Sequence, residues 1–407
     1  METPPLHLPA LGERTSQTVH RLRDEHGPVV PIQLPGGVRA WAVTSFDAVN
    51  EVLGHDDSRY SKDSANWPAL HDGTIPADWP LRQVLMGDHL LTKDGADHRR
   101  LRSLVSRAFT PARVHGLAPR IQALADELLD QVAAAGDGVD GVDLVPHFTE
   151  PLPVTVICEL FGVPAAERDG IRDWTKVLLS LRSTPQEAAE AGAGIMAYLA
   201  GHIARRRHEP GDDLTTALIH AQDEDGDRLS DNEMLWILWV VIIAGHETTV
   251  HLIANAVVAL CADPEQLALA QSKDVWEQVV EETLRSRTSV INAVLRYTLQ
   301  DVVIAGVTVP AGEALVIGFG GTGTDPARFG AGAERFDVTR APETHLGFGR
   351  GPHFCLGAPL ARLECRIALS SLFARFPGLR LAVAEDELPY TSSIITEGPM
   401  ALPVHLG

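Results

Sequence analysis

Residues 348–357 read Phe-Gly-Arg-Gly-Pro-His-Phe-Cys-Leu-Gly, and a helical pattern begins at Ala358 directly after them. Gly349, Gly351 and Gly357 allow a tight bend around the Cys355 sulfur, and the N-terminal N–H groups of the next helix point back toward it. Donors and a positive dipole end favour thiolate over thiol. A cysteine taken alone is more often a small buried hydrophobe, so the surroundings of Cys355 make the case for a ligand.

Working outward, the best-defined helix opens on the capping box Ser230-x-x-Glu233 and runs to Ala262, just before Asp263 and Pro264. Its roughly 32 residues span ~48 Å. It is apolar on nearly all sides in its first half, so it passes through the middle of the protein. Further helices are expected over Thr18 to Glu25, Val275 to Arg287 and Ala358 to Phe376, and a helical hairpin over Arg168 to Ser180 and Pro185 to Arg207 has the makings of a lid. Two strands around Pro35, Gly36 and Gly37 form an early hairpin, β-like pieces run from Val290 to Ile317, and Thr391 to Val404 reads as a terminal hairpin. The irregular stretch Asp63 to Pro80, which carries Trp67 and Trp79, is long enough to be functional. The expected class is mainly α with small β regions, near 28–45, 290–318 and 380–405, in a single domain over 1–407. No repeat or flexible linker divides it.

Composition bounds the function. The 407 residues carry 34 Lys and Arg against 54 Asp and Glu, a net charge of −20, which disfavours nucleic acid and anionic membranes as partners. An apolar fraction of 45% and 22% charged residues fit a globular protein with a large core. Four cysteines are too few for a disulfide scaffold, and no secretory leader is visible, so the cytoplasm is the expected compartment. The longest strongly apolar run, Met234 to Gly245, is twelve residues long, short of the ~20 that cross a bilayer.

The 348–357 segment resembles the haem-binding loop of the cytochrome P-450 family, Phe-x-x-Gly-x-x-x-Cys-x-Gly, at Phe348, Gly351, Cys355 and Gly357. Three further motifs stand in the family's order. Ala244-Gly-His-Glu-Thr-Thr249 inside the long helix is similar to the oxygen-activation motif, where Gly245 permits close approach of a flat cofactor and Thr248 can bond a carbonyl one turn back. His246 is a bystander there. Glu282-x-x-Arg285 resembles the pair that, with an Arg from the later meander, here Arg335, forms a buried network bracing the thiolate loop. His98 and Arg102, four apart on one face, together with Arg296 and His353, resemble the residues that hold the haem propionates. The resemblance covers essentially the whole chain and is closest to the soluble bacterial members. One departure is Gly323-Thr-Asp-Pro326, where the family often has Asn-Arg-Asp-Pro; another is Ser289, where a Pro is common.

The resemblance implies a cytochrome P-450 fold with the long central helix over haem b (iron protoporphyrin IX). Cys355 would ligate the metal, and Glu247 and Thr248 would deliver protons during O2 activation. Electrons would come from NAD(P)H through a ferredoxin reductase and a ferredoxin docking near Arg99, Arg107, Arg350, Arg362 and Arg366. The small-molecule substrate pocket is expected to draw on Trp67, Ala244, Ser289, Val290, Asn292, Ile394 and Ile395, with the lid helices above. Ser289 and Asn292 point to a substrate bearing amides or hydroxyls, such as a macrolide, steroid, terpenoid or cyclic dipeptide. Monooxygenation in secondary metabolism is the leading expectation. Oxidative coupling of aromatic or diketopiperazine units without oxygen insertion is the alternative, and a non-catalytic haem-thiolate ligand-binding protein comes third. A zinc hydrolase is excluded, since no CxxC or HExxH spacing is present.

Overall fold

The computed structural model describes residues 6–10, 12–54, 58–79, 81–136, 141–180, 183–221 and 226–407. Helices dominate, and strands are confined to sheets of six, three and two strands among the described residues. The expected early hairpin forms: Val29–Leu34 pairs antiparallel with Val38–Val43 from Val29↔Val43 to Leu34↔Val38, through a turn in which Gly36 and Gly37 take φ of +80° and +77°. Val38–Val43 then pairs in parallel with Ala314–Gly318, which pairs antiparallel with Asn292–Thr298. The last pairing slips register between Ala293 and Arg296. Such an irregularity re-aims the side chains on either side of it. Tyr60–Ser61 closes this sheet against Thr298 and Tyr297.

The long helix occupies Asp231–Ala262. Its capping box is closed, with Glu233 N donating to Ser230 Oγ at 3.2 Å and Ser230 N donating to Glu233 Oε2 at 2.8 Å. It packs against Pro151–Leu160, Pro185–His208, Trp276–Ser286 and Ala358–Arg375. By length and composition it would also pass as a membrane span, but 72% of its most apolar window is buried inside the protein, so it is a core helix. Its apolar shell is continuous with the main core, from Ile121 and Phe148 to Leu369 and Phe373.

The two hairpin helices lie at Arg168–Leu179 and Pro185–His208, the second capped by Thr184; Leu181 and Arg182 between them lie outside the described residues. The expected helix at Thr18 to Glu25 appears as Thr15–Arg21 followed by a wider turn at Leu22–His26. The stretch from Asp63 holds the short turns Ser64–Asn66 and Pro68–His71, and Pro80 at its end lies outside the described residues.

The terminal hairpin expected over Thr391 to Val404 forms only in its first part: Tyr390 bridges Pro399 antiparallel, Thr391 N donates to Gly398 O at 3.0 Å and Met400 N donates to Pro389 O at 2.7 Å. Pro403–His405 pairs instead with Arg380–Leu381 and Val142–Asp143. The tip of the turn is held by distant partners: Glu397 N donates to Ser289 O at 2.9 Å, and Ile291 N donates to Ile395 O at 2.8 Å. Those bonds satisfy backbone groups that the local pairing leaves over.

Candidate active site

Cys355 sits between a strained loop and a helix start. Gly351 has φ of +73°, and a side chain there would meet Leu53 O at 2.6 Å, so both conformation and space call for glycine. Cys355 N donates to Phe348 O at 2.9 Å, which folds the loop back on itself. Burial pushes the thiol up from its ordinary range; the N–H groups of Gly357 and Ala358 and the guanidinium groups of Arg102 and Arg362 pull the other way. The donors thus act in the direction the sequence implied, with burial the larger opposing effect in the protein alone. A coordinated metal cation would reverse the balance, because metal binding deprotonates a thiol outright.

The middle of the long helix carries an accessible strip. Ala244 is exposed and Gly245, Glu247 and Thr248 are half-buried, while the helix on both sides is buried. An accessible strip inside a core helix marks the wall of an interior space. Thr248 Oγ1 donates to Ala244 O at 2.8 Å, one turn back as expected, and His246 Nδ1 turns to Ile242 O at 2.9 Å, out of the way. The Glu247 carboxylate turns toward the terminal segment: Thr396 Oγ1 donates to Oε1 at 3.3 Å, and His251 Nε2 stands 3.5 Å from the same oxygen. Glu247 Oε2 is buried without a hydrogen-bond partner. Gly245 also has a packing reason to be small. A side chain there would meet Ile157 Cδ1 of the neighbouring helix at 2.9 Å, so packing against Pro151–Leu160 requires glycine.

The four residues read as propionate partners come together. The rings of His98 and His353 lie 4.0 Å apart, and Arg296 is 3% exposed. Arg102 is half-buried and close enough to Cys355 for each charge to act on the other. His353 Nε2 stands 3.9 Å from Asp94 Oδ1. Burial pushes the His353 imidazole down to about 3 against the pull of Asp94, so it is neutral at pH 7, and its Nδ1 is buried without a partner. Sequence reasoning missed a further member, Lys62, which is 7% exposed and donates through Nζ to Val294 O at 2.7 Å and Leu295 O at 3.3 Å. Its only sequence signal is a lysine directly after a short strand. Lys62 thus has Arg296 and Asp94 as its charged neighbours, and Asp94 also faces His353. A buried excess of positive charge with an unfilled imidazole nitrogen suits a dianionic ligand. With the donor-flanked sulfur and the accessible helix strip, these residues fit haem.

Glu282 and Arg285 are buried as expected, with Arg285 Nη2 donating to Glu282 Oε1 at 2.6 Å. The third guanidinium is not that of Arg335. Arg340 Nε lies 3.4 Å from Glu282 Oε1, whereas Arg335 contributes its carbonyl, which accepts from Arg285 Nη2 at 2.9 Å. The Arg335 side chain instead runs past Gly332, the glycine that starts its turn. The departure at Gly323 is also explained: Arg285 Nη1 donates to its carbonyl, and a side chain there would run into Arg285 O at 1.7 Å.

A small apolar cavity, with room of about 20 Å³, is lined by Leu81, Val84, Leu85, Asn292, Ala293, Val294, Leu295, Val316, Ile394 and Ile395. Asn292 Nδ2 donates to Ile394 O at 2.6 Å, which orients the amide, and Asn292 Oδ1 is buried without a partner. Trp67 is not on this wall. It packs between Trp79 and Tyr297, with ring centroids at 6.0 and 5.6 Å, because aromatic packing buries it in the sheet core. Ser289 and Val290 are likewise off the cavity lining. The carbonyl of Ser289 accepts from Glu397 N, and Val290 bridges Thr396.

Around the cysteine loop, Arg99, Arg107 and Arg350 are exposed, and Phe354 is 41% exposed. Arg362 is committed elsewhere, gripping Glu281 at 2.6 and 2.9 Å and lying 4.6 Å over the Phe348 ring. Arg366 is half-buried.

Known proteins resemble this chain over essentially its whole length. The family description "Cytochrome P-450" matches residues 6–273 and 266–392. The chain is 40% identical over 405 residues to 2-hydroxy-5-methyl-1-naphthoate 7-hydroxylase of Streptomyces carzinostaticus, covering 99% of this chain and 97% of that one. It is 40% identical over 384 residues to mycinamicin IV hydroxylase/epoxidase of Micromonospora griseorubida, covering 93% of each. A testosterone-bound structure of CYP154C4 from Streptomyces sp. ATCC 11861 superposes with a TM-score of 0.93 at 41% identity, covering 100% of this chain and 99% of that one.

Proposed function

Because the chain belongs to the cytochrome P-450 family and is a haem monooxygenase of it, we propose that it hydroxylates a mid-sized, mostly apolar natural product bearing a hydrogen-bond donor. The observation that carries the substrate reading is Asn292 Oδ1, an acceptor without a partner at the wall of an apolar cavity. A substrate hydroxyl or amide N–H placed there satisfies it, whereas a bare hydrocarbon leaves it buried and unmet. The relatives named above act on a naphthoate and a mycinamicin, and the structural neighbour binds testosterone. A ring system with polar substituents is the chemistry common to them.

Haem would be held by the Cys355 sulfur on the metal and by His98, Arg102, Arg296 and His353 on the propionates. When bound, it supplies the activation of O2 that C–H oxidation requires. The protein's part is to place the substrate and to meter protons. Thr248 Oγ1 is held by Ala244 O on the accessible strip and turns from that carbonyl to donate into the interior space. Glu247 relays protons through ordered water to Thr248, with Thr396 and His251 set against its Oε1. The surrounding core keeps bulk water out of that path.

Electrons reach the site from NAD(P)H by way of a ferredoxin reductase and a ferredoxin docking over Arg99, Arg107 and Arg350 beside Phe354. The protein works in the cytoplasm, in secondary metabolism. The test is a titration of candidate ring-containing natural products, read as a blue shift of the haem band, followed by product mass. A gain of one oxygen atom supports hydroxylation. Loss of hydrogens with joining of two units refutes it in favour of coupling.

A further inference from the structure

We propose that Lys62 is a charge partner of the haem propionates, a fifth group beside His98, Arg102, Arg296 and His353, whose ammonium is sustained by the bound dianion rather than by the protein. The inference rests on the reading of this site as a haem pocket. Lysine is a compact, strongly hydrated cation, and burying one is costly unless an anion replaces its water. Here the fold supplies two carbonyls, Val294 O and Leu295 O, which take two of the three ammonium protons. Arg296, one residue beyond Leu295 on the same strand, places a like charge against it. His353 and His89 nearby are both pushed by burial well below neutral pH and bring no negative charge.

The carboxylate that acts on Lys62 among the described residues, Asp94, is already committed. Its Oδ2 accepts from Ser61 Oγ at 2.6 Å and from the Lys62 backbone N at 2.6 Å, and its Oδ1 faces His353. Burial and Arg296 together push Lys62 down to about 7 against the pull of Asp94. The protein by itself therefore holds this charge only marginally at neutral pH. An incoming pair of carboxylates beside Arg296 adds the missing counter-charge and takes the third proton. The two carbonyls that Lys62 holds lie in the stretch where the strand pairing slips register, between Ala293 and Arg296.

A structural role and a charge role make different predictions. If Lys62 merely tied down the carbonyls of Val294 and Leu295, a neutral donor would serve. The test uses holoenzyme of wild type, Lys62→Gln, Lys62→Met and Lys62→Arg, with two readouts: the rate of haem transfer to excess apomyoglobin and the ferric/ferrous reduction potential. The expected result is that Gln and Met both lose haem about tenfold faster or more, as for one lost charge-assisted hydrogen bond. Both should also show a lowered potential, because a cation near the propionates favours the reduced state, while Arg stays close to wild type. Wild-type haem retention and potential in Lys62→Gln would overturn the proposal, as would Lys62→Arg behaving like Lys62→Met. Should Lys62→Met not fold, the Gln and Arg pair decides alone. The carbon monoxide band of reduced wild type is recorded alongside: its absence sinks the haem-thiolate reading itself, whereas its presence with an unaffected Lys62→Gln sinks only the role of Lys62.

Discussion

Glu282 holds Arg285 through both carboxylate oxygens, Oε2 to Nε at 2.7 Å and Oε1 to Nη2 at 2.6 Å, with the two side chains only 5% and 3% exposed. The pair is tied to the chain on its far side as well: Asp337 N donates to Glu282 Oε1 at 2.8 Å, and Arg285 Nη1 donates to Ala333 O at 2.6 Å. Removing one partner strands a buried charge, which typically costs about 3–5 kcal/mol. Glu282→Ala is therefore expected to express without stable haem and to unfold at markedly lower urea. Arg340→Gln, at the half-exposed rim of the same network, should lose no more than about 1 kcal/mol. Urea titration of both variants, with the haem band as a second probe, checks the ordering.

Cys355 is the atom on which the cofactor reading turns. Cys355→Ser should retain the helical fold, since the loop is closed by the backbone bond from Cys355 N to Phe348 O and not by the sulfur. It should lose the red-displaced carbon monoxide band of the reduced protein. Far-ultraviolet dichroism and the reduced carbon monoxide spectrum give the two halves of that outcome.

Thr248 and Glu247 differ in what they do with protons, so their variants should differ. Thr248→Ala is expected to keep consuming reduced cofactor while releasing peroxide, with product per electron down at least tenfold. Glu247→Gln is expected to slow consumption itself. Unchanged coupling in Thr248→Ala would remove that residue from the proton path.

Asp94 makes stability depend on acid. Against the opposing cost of burial, the nearby His353 ring and hydrogen bonds from Ser61 Oγ and the Lys62 backbone N–H hold its carboxyl at about 2 in the fold, against an ordinary value near ~3.9. A carboxyl lowered by folding stabilises fully above its unfolded value and loses that contribution as pH falls through the folded one. On the order of 2 kcal/mol should disappear between about pH 4 and pH 2. The neutral His353 adds to the slope from higher pH, because the unfolded chain takes up a proton that the fold refuses down to about 3. Unfolding free energy measured from pH 7 to 3 should fall in wild type, with a shallower lower limb in Asp94→Asn.

Asn292→Leu tests the substrate chemistry. Ligands carrying a hydroxyl or amide donor should bind roughly tenfold more weakly, and matched ligands lacking it should bind equally well or better. Spectral titration of such a pair gives the discrimination directly.

What could be read from the amino acids alone follows from how local each signal is. The capping box at Ser230, the apolar run into His246 and the glycine-framed Cys355 are all written in contiguous residues, and each stands in the structure where its pattern placed it. Interactions that span the chain were not legible. Trp67 read as a pocket residue because it lies in an irregular stretch, yet Tyr297, 230 positions later, buries it. The contact of Gly245 with Ile157, 88 positions earlier, was likewise invisible in the motif. Arg335 and Arg340 lie in one turn, and only the backbone path decides which guanidinium turns inward.

Motifs and local pattern thus carried the family resemblance and placed the long core helix, the cysteine loop and the acid–alcohol pair on that helix, because each depends on neighbours within a few residues. Tertiary structure alone decided that Lys62 joins Arg296 across two strands and that the tip of the terminal turn binds Ser289 to Asn292. Burial and charge are properties of what the chain brings together from far apart, and no local spacing encodes them.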